Sequence, residues 1–164
     1  IERAQEYLIR KSYPSYNKNT CGRCASKVAD AWDFAFGKKV KRFTHAKDCG
    51  ATYEDLGFKK VFSYPEQSKE DYKPELGDVA IIQPVKILKE GKEIISHPSG
   101  HVCVRCTWKD VAEDKKTKKI IEITRLGWIS DFKQSTGGSK LPLADMYGGP
   151  IRDKNPAFAI YRLV

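Results

Sequence analysis

Between residues 24 and 36 the apolar side chains Ala25, Val28, Ala29, Trp32 and Ala35 recur at helical spacing. The polar stretch before them holds Pro14, Asn17 and Asn19, so a helix begins abruptly near residue 23. The run Gly22-Arg23-Cys24-Ala25-Ser26-Lys27-Val28 therefore sets a cysteine on the first turn of an amphipathic helix. A thiol there meets the positive end of the helix dipole and unpaired backbone N–H groups, which favours the nucleophilic thiolate. Further along, Ser99-Gly100-His101-Val102-Cys103-Val104 supplies an imidazole on a strand. Cys24 and His101 together read as a nucleophile and its general base.

The remaining periodicities predict a helix over 2–11, a polar loop over Ser12 to Thr20, the nucleophile helix over 23–36, and then strands. Leu76 to Gln83 reads as a turn feeding a strand; His101 to Trp108, Lys119 to Leu126 and Phe158 to Leu163 read as three more. Helices gather toward the N-terminal half and strands toward the C-terminal half. That order predicts an α+β chain, a single catalytic domain over 1–164, with an antiparallel sheet packed on the helix that carries Cys24. Strand alternation sends His101, Cys103 and Arg105 to one face and Val102, Val104 and Cys106 to the other. If His101 faces the helix, Cys103 does too, as a small core residue beneath the site. Asp78, after Gly77 at the start of a strand, reads as a turn cap.

Thirty Lys+Arg against 21 Asp+Glu give a net charge of +9, which raises encounter rates with polyanions. The lysines are scattered, as in Lys38-Lys39-Val40-Lys41-Arg42 and Lys115-Lys116-Thr117-Lys118-Lys119, and first of all read as solvated surface. Five cysteines in a chain of 164 residues suggest an oxidising compartment. With Cys24 kept free, Cys21, Cys49, Cys103 and Cys106 are left to pair, in an order that the sequence does not choose. Cys103 and Cys106 are poor partners for each other, because three residues of strand span about 10 Å and a disulfide needs Cα atoms within about 7 Å.

Competing readings follow from the same residues. Cys21-x-x-Cys24 and Cys103-x-x-Cys106 are a CxxC pair, but the gap between them is far longer than in a zinc ribbon, and the second pair sits inside an alternating strand. A thioredoxin-like redox motif follows a buried apolar strand, whereas Tyr13 to Thr20 is polar. A cationic binding module, stabilised by disulfides or zinc and directed at polyanions, is the alternative to an enzyme; Trp32, Trp108 and Trp128 are not interleaved with the lysines as a nucleic-acid stacking platform requires. His45 and His97 read as solvated loop histidines. Tyr7, Tyr13, Tyr16 and Trp32 read as core or groove lining. Thr136-Gly137-Gly138-Ser139 reads as a flexible loop, since Pro142 opposes a following helix.

Gly22-x-Cys24-Ala25-x-x-Val28-x-x-Ala31, then Gly77-Asp78-Val79, then Gly100-His101-Val102, resembles the papain-like NlpC and CHAP cell-wall amidases. The Gly-x-Cys-Ala pattern and the run Trp128-Ile129-Ser130-Asp131-Phe132-x-Gln134 are most similar to the second clade of type VI secretion amidase effectors, over about residues 20 to 135. The sequence departs from that pattern at Ser26-Lys27, where members tend to carry an aromatic. The five cysteines and the lysine content lean toward a domesticated, secreted eukaryotic form of that clade. The resemblance implies an antibacterial enzyme that hydrolyses amide bonds of peptidoglycan stems or cross-links, favouring the diaminopimelate to D-alanine cross-link, with ordinary proteins as poor substrates.

Carried over by position, Cys24 is the nucleophile and His101 the base. Asp131 is the first choice for the residue that orients the imidazole, with Ser130 and Gln134 behind it. No metal or cofactor is implied. The implied partners are peptidoglycan and, for a bacterial effector, a cognate immunity protein; nucleic acid and membrane are not among them, and the expected state is a monomer. The implied location is extracellular, or the periplasm of a target cell.

Overall fold

The computed structural model describes residues 1–14, 24–96, 99–135, 140–142 and 156–164. Two helices precede the sheet, α1 (Glu2–Lys11) and α2 (Cys24–Phe36), and a short α3 (Gly50–Asp55) follows them. Strands β1 (Phe58–Tyr64), β2 (Val79–Ile82), β5 (His101–Glu113), β6 (Ile120–Ile129), β7 (Lys133–Ser135) and β8 (Phe158–Leu163) form one sheet in the order β1-β8-β2-β5-β6-β7, antiparallel throughout. Strands β3 (Val85–Lys89) and β4 (Lys92–Ser96) form a separate hairpin between β2 and β5. No helix among the described residues is long and apolar enough to cross a membrane.

The α+β order and the antiparallel sheet on α2 are as the sequence predicts. One sheet face, with Val79, Ile81, Val102 and Val104, packs against Leu8, Val28 and Trp32 of the helices. The opposite face buries Ala80, Ile82, Cys103, Trp128, Phe158 and Ile160 in a second cluster. Cys103 is thus a core residue, but it points away from α2. Alternation separates Cys103 from Val102, Val104 and Cys106 as expected, and the face that the helix covers is the Val102 face.

Three further differences have simple causes. Strand β5 runs past the expected end at Trp108 because its outer half forms a two-stranded ribbon with β6, with Val111 and Ile120 exposed, so alternation continues where burial does not; β6 runs past Leu126 at its inner end, where Gly127, Trp128 and Ile129 are buried between β5 and β7. The six-residue α3 is too short to show a helical period, and in β1 a register shift between Lys60 and Phe62 breaks the period of two. The third concerns the cysteines. Cys24 is a free thiol as expected, but Cys49, Cys103 and Cys106 are buried free thiols too, not the disulfide partners expected of an oxidised protein. Cys103 and Cys106 occupy opposite faces of β5, while the Cys49 Sγ points at the His45 carbonyl at 3.6 Å. Opposite faces also prevent Cys103 and Cys106 from sharing a metal, and no cluster of metal-ligating side chains occurs among the described residues. Cys21, Tyr16, His97 and the 136–139 loop lie outside the described residues.

Asp78 does cap its turn, accepting the Glu75 N–H at 3.0 Å, and it does more. Its buried carboxylate also takes the Tyr72 hydroxyl at 2.7 Å and Nε and Nη2 of Arg162 at 2.7 and 2.9 Å. This ties the start of β2 to β8.

Candidate active site

Cys24 opens α2 and stands on its buried stripe with Val28, Ala31 and Trp32, at i, i+4, i+7 and i+8. Ala29 is buried with them, and Ala25 and Ala35, which the sequence counts in the same stripe, pack partly buried against the core. The consequence is electrostatic. The backbone N–H groups of Ala25, at the helix N-terminus, and of Val102, in β5, both donate toward the sulfur, and both pull its pKa down. Burial outweighs them, and the thiol is pushed up to about 11, with the Asp131 carboxylate adding to the rise. The free thiolate expected from the helix dipole is therefore not the resting form; the thiol is.

The Val102 contact sets the sulfur against the first turn of chain in β5, immediately after His101. His101 is itself buried, and its position depends on Gly100, which has φ +69°. A Cβ on Gly100 would lie 2.5 Å from the Ile82 carbonyl oxygen and 3.0 Å from the Lys47 Cβ, so only glycine lets the chain pass there. The flank is fastened by the Lys47 N–H to the Ser99 carbonyl at 2.9 Å and by His45 Nδ1 to Ser99 Oγ at 2.8 Å. His45 is an exposed loop residue, as read from the sequence, and it also ties the loop to the histidine segment.

Asp131 sits in the tight turn between β6 and β7, buried, and accepts the Ser130 hydroxyl at 3.0 Å. Its own carbonyl takes the Tyr13 N–H at 2.8 Å, which docks the end of α1 on this turn. The next residue, Phe132, lays its ring 5.9 Å from the imidazole of His101. Cys24, His101, Ser130 and Asp131 thus share one end of the sheet. Gln134 does not. It pairs with Trp128, which pairs with Arg105, four residues along β5 from His101 and about 13 Å away by strand rise.

A cavity of about 110 Å³ opens beside the first turns of α2, lined by Ala25, Ser26, Ala29, Phe43, Cys49 and Tyr53. Sequence reasoning passed over Phe43, Cys49 and Tyr53 because none belongs to a motif. Their only signal is aromatic and small residues interleaved with lysines after the nucleophile helix. Burial pushes the Cys49 thiol up to about 11 as well, and the neighbouring Asp48 charge adds to it.

No family model and no curated protein matches this chain. Among solved structures it is similar to an effector from Ralstonia pickettii, in the crystal structure of the type VI native effector-immunity complex Tae3-Tai3. The match has a TM-score of 0.59 and 26% identity, and covers 99% of this chain and 97% of the other. The α+β, papain-like amidase fold expected from the sequence is the one that this match supports, and the similarity to a type VI effector agrees with the resemblance read from the sequence.

Proposed function

We propose that this chain, built like a type VI effector over nearly its whole length, is a peptidoglycan amidase in which Cys24 is the nucleophile, His101 the base and Asp131 the residue that orients the imidazole. The hydrolase class rests on the likeness to Tae3. The assignment of roles rests on one observation: the Cys24 sulfur takes the N–H of Val102, next to His101, while the Asp131 carboxylate acts on the same sulfur.

The chemistry follows from a thiol that is protonated at rest. Attack on the amide carbonyl proceeds as the Sγ proton passes to His101, so that thiolate and imidazolium arise as a pair. Asp131 opposes a lone thiolate and favours the imidazolium, which makes the paired state the accessible one. The first-turn amides of α2 stabilise the oxyanion. His101 then gives its proton to the leaving amine, and the acyl group stays on sulfur as a thioester. Water, deprotonated by His101, releases the acid and restores the thiol. Delivery to a target periplasm, and an immunity protein in the producing cell, belong to the same reading.

Purified sacculi test it. Cys24→Ala abolishes release of muropeptides, and His101→Ala lowers the rate by about a hundredfold or more. Undiminished cleavage by Cys24→Ala overturns the assignment.

A further inference from the structure

On the sheet face turned away from α2, the register lines up Arg105 of β5, Trp128 of β6 and Gln134 of β7 in one row. Their relative exposures are 5%, 0% and 5%. A guanidinium keeps its charge at any working pH, and burying it without an anion is costly. Among the described residues, no carboxylate lies within ion-pair distance of Arg105. Its side chain stacks 5.6 Å from the Trp128 ring and gives one long hydrogen bond, Nη1 to the Lys140 carbonyl at 3.3 Å.

The neighbours are also unsatisfied. Trp128 Nε1 and both amide atoms of Gln134 have no hydrogen-bond partner among the described residues. Native interiors pair more than about nine in ten such groups, so three in one row beside a cation with no carboxylate partner among the described residues mark a site built for something else. The guanidinium, the indole N–H and the Gln134 amide N–H are all donors. A carboxylate is the group that supplies both the missing charge and the acceptors.

We infer that the Arg105, Trp128 and Gln134 row binds a carboxylate of the substrate peptide, an inference that rests on the Cys24 and His101 reading of the active site. The row lies about 13 Å along β5 from His101, which extended peptide covers in about four residues. The recognised carboxylate is therefore a few residues from the scissile amide, at the end of the peptide or on one of its side chains.

The test has a binding arm and a turnover arm. For binding, N-acetyl-D-alanine and its C-terminal amide are titrated against Cys24→Ala, with the thermal midpoint as readout. The acid raises the midpoint and the amide does not; adding Arg105→Met or Gln134→Met removes the rise. Gln134→Met is close in shape and deletes two unsatisfied atoms, so it keeps the fold. For turnover, a stem peptide is compared with versions amidated at its terminus or at its side chains. One amidation raises KM at least about tenfold in the parent enzyme, and so names the carboxylate; that ratio collapses toward one in both variants. Equal midpoint shifts with acid and amide, no shift with either, or an unchanged ratio in both variants overturns the inference. A rise with the acid alone, in a protein that cleaves no stem peptide, upholds the anion site and removes the hydrolase reading instead.

Discussion

Cys24 shows how one residue answers to two demands. Its place at the head of α2 was legible, because a cysteine just ahead of a helical apolar period is a local pattern. Its protonation state was not, because that depends on which side of the helix the sheet covers, and only the packed sheet decides it. A thiol held up to about 11 makes a direct expectation. In His101→Ala, where no imidazole takes the proton, alkylation of Cys24 by iodoacetamide accelerates about tenfold per pH unit and levels near 11. A plateau near the ordinary thiol value would mean that the sulfur is solvated. Asp131 and His101 were legible as residue types in a run. Their neighbour Gln134 was too, but register carries it to a different row, and register is a property of the β6–β7 turn rather than of any single residue.

Among the elements, α1 and α2 were readable because each has one buried stripe, and β2 and β8 because each is a short apolar run, buried on both faces. Strand β1 was hidden by its bulge, and the β3–β4 hairpin by its exposed Leu88 and Ile95. The hairpin did carry a signal in Glu90-Gly91, both at positive φ (53° and 76°), the geometry of a two-residue turn. Asp78 is the joint between elements. Asp78→Ala removes the acceptor for Tyr72, for the Glu75 N–H and for both donors of Arg162. Arg162 keeps the Lys73 carbonyl at 2.8 Å and, as its remaining carboxylate, the exposed Glu75 at 3.3 Å, so urea unfolding should show a loss of about 3 kcal/mol. A loss under about 1 kcal/mol would mean that the network is solvated in practice.

For the molecule as a whole, the buried acids set the alkaline limit. Burial raises Cys24 and Cys49 from 9.0 to about 11, and it lifts Cys103, Cys106, Tyr53 and Tyr72 as well. The unfolded chain releases these protons first, so their contribution is complete below about pH 9 and is lost as pH rises through about 11. The thermal midpoint should hold steady at neutral pH and fall across that window; a midpoint that stayed level through it would show that these groups titrate unburied.

The ribbon of β5 and β6 carries one more consequence, and it concerns time. His101 stands at one end of β5 and Asp131 just beyond the far end of β6, so base and carboxylate are joined by a hairpin whose tip is the short turn from Asp114 to Lys119. Such a hairpin zips locally and early, whereas Cys24 must arrive from a helix distant in sequence, at the cost of closing a long loop. On the proposed reading, the chain therefore assembles its proton-handling half first and acquires its nucleophile last. An incompletely folded copy, its ribbon already zipped and α2 still adrift, then has no means of cutting peptidoglycan.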